Sequence, residues 1–395
     1  MSCEFATHAL FYCFSMRIAF DLRWIRSERI DGISRYAINL TTHLLQADSV
    51  NEYTLVGNQA ILQKYLSLAA FPNAIITTIP QTLLSIQDFL TTPRAIQRFQ
   101  SDIFHVPNYL TSPFPGNYRK ILTVYDLIPF LFPGALSKSR LLWRLFYKTA
   151  YPAASILRSA DVIIATSENT KHDVIRLLNI SPEKIQVVWC GLENRFKPGY
   201  QVSEQFWRQY RLPHQFLLYV GRQDPYKGLN YLVQAYALLP ESLRKTHKLV
   251  IAGKTDRRYI GRVNDLIANL NVSQDVIFCD YVPDADLPLL YSAAMLLVHP
   301  SLYEGFGFPP LEAMACGTPV VYADTSSLTE LIGDAGLAVA PGSAEALACG
   351  IQAMLTNDQL RNNFSEKGIR QAQRYSWQNA ARKILEIYQG LYFTR

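Results

Sequence analysis

Residues 304–312 read EGFGFPPLE, two carboxylates eight positions apart with two glycines, two phenylalanines and two prolines between them. Glycine lacks the Cβ that would keep a backbone away from a ligand, so Gly305-Phe306-Gly307 can bring bare amides close to one. The prolines suit the first turn of a helix. A helix start there presents unpaired N–H groups and a positive dipole end to an anion. Glu304 stands before the loop and Glu312 inside the helix, so the folded-back chain can set both acids against one ligand. A carboxylate accepts two hydrogen bonds at once, which suits a diol. Alone, Glu312 would read as an acid favoured at a helix start and Glu304 as a loop charge. Their joint spacing around this loop favours a site.

A second cluster, VGRQDPYKG, places Arg222 and Lys227 between Gly221 and Gly228. The preceding run FLLYV reads as a strand, so both cations fall in the turn at its carboxyl end. Open α/β sheets bind ligands there.

The elements that must position these groups come in alternation. RIAFDL (17–22), EYTLVG (52–57), DIFHV (102–106), KILTVYD (120–126), DVIIATS (161–167) and KIQVVW (184–189) are short apolar runs of buried parallel-strand type. Helical patterns separate most of them, as in ISRYAINLTTHLLQ (33–46) and SRLLWRLFYKTAYPAASIL (139–157). The polar, proline-bearing stretch 193–215 breaks the rhythm and reads as a linker. The rhythm then restarts with FLLYVGR (216–222), KLVIAG (248–253), DVIFCDYV (275–282), AAMLLVHPS (293–301) and PVVYAD (319–324). The pattern predicts two doubly wound α/β domains in tandem, with a central cleft as the ligand site. Neither half carries G-x-G-x-x-G, which argues against a nicotinamide enzyme.

Bulk properties agree. The chain has 395 residues, enough for two or three domains, and 49% hydrophobic against 18% charged residues, which supports a packed core. The net charge of +6 suits an anionic ligand or lipid surface without requiring nucleic acid. Six cysteines form no C-x-x-C pair, so neither a zinc site nor a dithiol motif is visible, and the scatter fits a reducing, cytoplasmic compartment. No apolar run reaches the roughly 18–20 residues of a spanning helix. Residues 1–15 lack a basic start and carry Glu4, so they read as an extension rather than a signal peptide.

VGRQDPYKGLNYLVQAYALL, DYVPDADLPLLYSAA and PSLYEGFGFPPLEAMACGTPVV together resemble the donor-binding half of a retaining glycosyltransferase of family 4, which has the GT-B fold. DGISRYAINL, DIFHVPNYL and TVYDLIPFLFP resemble its other half, and the similarity spans nearly all of residues 16–395. The wording is similar to mannosyltransferase-like members that build bacterial polysaccharides. The resemblance implies an acceptor domain over 16–195, a nucleotide-sugar donor domain over 196–375, and a C-terminal helix over 376–395 that crosses back to the first domain. It implies a hexose, mannose from GDP-mannose in particular, moved from a GDP- or UDP-sugar to a glycan or lipid-linked acceptor. No cofactor and no metal are implied.

By the same resemblance, Arg222 and Lys227 grip the donor phosphates, Glu304 bonds sugar hydroxyls and Glu312 bonds the ribose. Val282, in the segment before Asp284-Ala285-Asp286, offers backbone to the base. That D-x-D reads as a turn and helix N-cap rather than a metal motif. Gly32 opens a helix whose turn faces the diphosphate or the acceptor, although many relatives carry a second glycine near Ile33. His105 ends a strand and is expected to point into the cleft; the plainer reading is a satisfied strand-end histidine. Asp126 follows Tyr125 where many relatives have His-Asp, so Tyr125 is left to donate one hydrogen bond to the sugar. Catalysis is expected to involve Asp126, His105, Lys227 and Glu304, through a front-face step in which the departing phosphate takes the acceptor's proton.

Arg140, Arg144 and Lys148 share one face of SRLLWRLFYK (139–148), which predicts either a peripheral contact with anionic lipid or an ordinary surface helix. Two other functions stay open on these residues: a sugar-nucleotide epimerase and a non-catalytic sugar-nucleotide-binding protein.

Overall fold

The apolar runs form strands because each is short, β-branched or aromatic, and bounded by polar or glycine-bearing turns. The computed structural model describes residues 15–26, 31–83, 85–132 and 151–393. Most of the N-terminal extension and the whole basic stretch 139–148 lie outside the described residues.

The described residues divide into two compact units. The first takes the chain up to Leu127, the stretch from Tyr151 to Gly191, and everything from Trp377; the second takes residues 128–132 and Leu192–Ser376.

In the first unit the strands are β1 (Arg17–Asp21), β2 (Glu52–Val56), β3 (Ala74–Thr77), β4 (Ile103–Val106), β5 (Arg119–Val124), β6 (Val162–Ala165) and β7 (Ile185–Val187). They pair in the order β3-β2-β1-β4-β5-β6-β7, all in parallel. The helices α1 (Gly32–Ala47), α2 (Ile86–Gln97), α3 (Tyr151–Arg158) and α4 (Glu168–Leu178) belong to this unit. Asp31 caps α1 by accepting from the Ser34 amide at 2.7 Å, so the sequence-predicted start at Gly32 has a physical cause. Arg23, just after β1, is held by Asp21 at 2.6 Å and by Asp88 at 2.7 Å, a buried ion triad.

In the second unit β8 (Phe216–Val220), β9 (Lys248–Ala252), β10 (Val276–Phe278), β11 (Leu296–His299), β12 (Val320–Ala323) and β13 (Leu337–Val339) pair in parallel in the order β10-β9-β8-β11-β12-β13. Its principal helices are α5 (Glu204–Gln209), α6 (Leu229–Leu238), α7 (Ile260–Asn269), α8 (Leu287–Ala293), α9 (Phe308–Ala315), α10 (Ala344–Thr356) and α11 (Asp358–Ala372). One face of the sheet meets α6, α7 and α10 in a core that includes Leu217, Tyr219, Tyr236, Val298 and Ile351. The stretch 193–215 differs from the linker expected there. It belongs to the second unit and contains α5, which is capped by Ser203 and anchored by buried Phe206.

The last helix, α12 (Trp377–Phe393), is part of the first unit and packs along α1. Trp377 and Tyr388 are its largest fully buried side chains, and the Trp377 ring meets Tyr36 edge-on at 5.5 Å. Among the described residues no helix is long and apolar enough to cross a membrane.

Candidate functional site

The turn after β8 bends because Gly228 takes φ +72°, and a Cβ there would lie 2.1 Å from the Pro300 carbonyl oxygen. No other residue fits that approach. The turn is braced from behind by Tyr219, whose hydroxyl donates to the Arg222 carbonyl at 2.6 Å. It delivers Lys227 to Glu304: the ammonium donates to both carboxylate oxygens at 2.8 Å. His299, the last residue of β11, lies 2.9 Å from the same carboxylate through Nε2. All three side chains are largely buried. Burial works against the Glu304 charge, but Lys227 and His299 outweigh it and hold the carboxyl well below the usual range. Burial likewise works against the Lys227 charge, and Glu304 reverses the balance so that the ammonium sits above its ordinary value. The pair is therefore fully ionised.

The loop after Glu304 is fixed by two serine hydroxyls that bond to its backbone. Ser326 accepts from the Glu304 amide at 2.9 Å, while Ser327 donates to the carbonyls of Glu304 and Phe306 at 3.0 and 2.8 Å. Gly307 has φ +113°, and a Cβ there would press on Leu328 and Leu331 at 2.9 Å. The Phe306 ring packs on Phe308 and Tyr375, with centroids 5.1 and 5.9 Å away. Gly305 and Gly307 thus flank a side chain that is committed to packing. α9 starts directly afterwards, with prolines in its first turn. Glu312 lies within it, buried, accepting from the Tyr291 hydroxyl at 2.8 Å.

Sequence reasoning placed Arg222, Lys227, Glu304, Gly305, Phe306, Gly307, Glu312 and Val282 in one region, and all belong to the second unit. Lys227 and Glu304 are in direct contact, Arg222 is in the same turn as Lys227, and Val282 is a buried residue shortly before α8. Asp286 occupies the N-cap position of α8, yet its side chain makes no cap bond; it accepts from the Tyr210 hydroxyl instead. Asp284 pairs with Arg195 at 3.6 Å. Among the described residues no group of three His, Cys, Asp or Glu is placed to hold a metal ion. His299 was not found from the sequence. Its position at a strand end, five residues before Glu304, was the available signal.

Gly32, His105 and Asp126 belong to the first unit. Gly32 is the first residue of α1. Asp126 is partly exposed just past β5. His105 corrects the expectation of an open-facing side chain. It is fully buried, with Nδ1 2.7 Å from the Tyr388 hydroxyl and Nε2 3.3 Å from Thr123. Its ring lies against Phe20 at 4.6 Å, and burial lowers its pKa from 6.5 to about 3, so it stays neutral. It joins α12 to the sheet. Tyr125 also departs from expectation: its hydroxyl already donates to the Pro107 carbonyl at 2.5 Å.

Comparison with known proteins follows the same division. Residues 30–195 match Glycosyltransferase Family 4 and residues 204–371 match Glycosyl transferases group 1. The chain is 31% identical over 381 residues to O-antigen chain mannosyltransferase B of Escherichia coli, covering 92% of this chain and 97% of that one. Among solved structures, sucrose-phosphate synthase from Thermosynechococcus elongatus superposes with a TM-score of 0.74 at 22% identity, covering 96% of this chain and all of the other. Anabaena Alr3699/HepE in complex with UDP-glucose gives 0.73 at 19% identity, covering 95% and 100%. The chain therefore belongs to glycosyltransferase family 4, a family of retaining enzymes, and has the GT-B fold.

Proposed function

We propose that the chain transfers a hexose, mannose first among the candidates, from a nucleotide-sugar donor to a glycan or lipid-linked acceptor in polysaccharide assembly. The observation that carries this reading is the ionised Lys227–Glu304 pair beside a glycine loop that opens a helix. The similarity to an O-antigen mannosyltransferase supports the sugar and the process. The crystals of Alr3699/HepE with UDP-glucose support an activated-sugar donor.

Breaking the bond between the anomeric carbon and phosphate puts negative charge on the leaving diphosphate. Arg222, Lys227 and the amides from Gly305 to the start of α9 meet that charge, and they act more strongly in a dry site than in water. An arriving diphosphate draws Lys227 away from Glu304. Glu304 remains held by His299 and turns its freed lone pairs to sugar hydroxyls. Glu312 accepts from the ribose. The acceptor's proton passes to the departing phosphate oxygen on the face that it leaves, which keeps the anomeric configuration. Asp126 and the turn at Gly32 serve the acceptor side, and His105 is assigned to packing. We place the reaction in the cytoplasm, where the free thiols of Cys190, Cys279, Cys316 and Cys349 remain reduced.

The test is product analysis. Labelled GDP-mannose and a panel of other GDP- and UDP-sugars are incubated with the chain and with a glycan and a lipid-linked acceptor. The expected products are free nucleotide and a glycoside of unchanged anomeric configuration by NMR. An epimerised donor, an inverted glycoside or an untouched panel refutes the reading.

A further inference from the structure

Arg222 is the most exposed of the site cations, with 54% of its side chain accessible, yet it is not left to find its own direction. Its Nε lies 2.9 Å from the Asp224 carboxylate and its Nη2 donates to the Tyr226 hydroxyl at 3.0 Å. Both partners come from its own turn. Nη2 is thereby taken and Nε is held against the carboxylate as an ion pair without a hydrogen bond, while Nη1 has no protein partner among the described residues.

Asp224 is an unusual residue to find there. Its side chain is fully buried, and among the described residues its ion-pair partners are two arginines: Arg222, and Arg258 at 3.6 Å. Arg258 comes from the loop after β9, where it also grips Asp256 with its Nε 3.0 Å from both carboxylate oxygens. That loop is pressed against the turn at two further points. The Asp256 amide donates to the Gln223 side chain at 2.7 Å. Gly253 approaches so closely that a Cβ would lie 2.2 Å from the Gly221 carbonyl oxygen. Tyr226 is anchored as well, since its ring packs on Phe132 at 5.5 Å and on a small cluster with Ile128 and Tyr303.

We propose that Asp224 and Tyr226 are positioning residues: they fix the Arg222 guanidinium so that its Nη1 edge is presented, already oriented, to the diphosphate of the donor. This rests on the donor-site reading above and deepens it. A long arginine side chain otherwise loses rotamer freedom on binding, and pre-orientation removes that loss. The direction of effect is diagnostic. Asp224 is an anion beside a phosphate-binding cation, so on charge alone its removal would tighten diphosphate binding. If it positions Arg222, its removal weakens binding.

The experiment titrates the full-length parent, Asp224→Ala, Asp224→Asn and Tyr226→Phe with GDP, guanosine, UDP and uridine by calorimetry, and measures kcat and KM for the donor that the parent uses. Asp224→Ala is expected to weaken diphosphate binding about tenfold, with nucleoside affinity unchanged. Asp224→Asn keeps the shape and polarity of the side chain against the guanidinium and is expected to lose only about threefold, as is Tyr226→Phe. In each variant donor KM rises and kcat falls, because the displaced cation also serves the leaving phosphate. Diphosphate affinity that is unchanged or tighter overturns the proposal, and so does a nucleoside affinity that falls by the same factor. A parent that binds neither GDP nor UDP overturns the donor-site reading itself, an outcome distinct from the other two.

Discussion

Two histidines at strand ends show how much a residue's role depends on what surrounds it. His299 and His105 both lie in parallel strands and are both buried. His299 contacts the Lys227–Glu304 pair, while His105 meets the hydroxyls of Tyr388 and Thr123 and the rings of Phe20 and Tyr388. A sequence cannot show that Tyr388, 283 positions away, occupies the space that His105 was expected to face. Lys227 and Glu304 were legible because their glycine-flanked motifs carry meaning locally. The neutrality of His105 has a measurable consequence. The unfolded chain takes up a proton at this ring below about pH 6.5, whereas the folded chain resists until about pH 3. Its contribution is therefore intact above pH 6.5 and is lost as pH falls towards 3, at up to about 1.4 kcal/mol per pH unit. Urea unfolding of parent and His105→Gln between pH 7.5 and 4.5 is expected to show a shallower acid decline in the variant. Parallel curves would disprove it.

At the level of elements, strand type was legible wherever apolar residues ran for four or more positions. The two strands that the sequence reading missed, β3 and β13, are short edge strands in which several residues are only half-buried, so their hydrophobic signal is thin. α5 was missed because Pro198, Gly199 and Pro213 surround it and draw the eye to a linker, although Ser203 is a good cap. The turn after β8 depends on one residue in a way that can be isolated. Gly228→Ala combines an unfavourable φ with a clash against backbone, and is expected to cost about 2–4 kcal/mol. Gly199→Ala has a similar φ of +91° but nothing within 4 Å, and is expected to cost about 1 kcal/mol. Denaturant midpoints of the two variants measure the difference. Equal losses would show that the approach to Pro300 does not constrain the turn.

For the whole molecule, the tandem α/β architecture was legible from the alternation of strands and helices. The assignment of residues 128–132 to the second unit was not legible, because in the chain they closely follow β5 of the first. The nucleotide base and the sugar leave no side-chain signature, so they must be measured. In a thermal-shift panel of GDP, UDP and ADP, one nucleotide is expected to stand out, since stabilisation follows occupancy and reaches about 2.7 kcal/mol at a hundredfold excess over Kd. Lys227→Ala and Glu312→Ala are both expected to lose that shift, and its survival in both would contradict the donor-site assignment. The return of the chain also orders its birth on the ribosome. All of Leu192–Ser376 is translated before α12 exists, so the later unit can fold to completion while the earlier one still lacks the helix that covers α1 and meets His105. The half that is made first is thus finished last, and in the interval its uncovered apolar seam is where a nascent chain would need a chaperone.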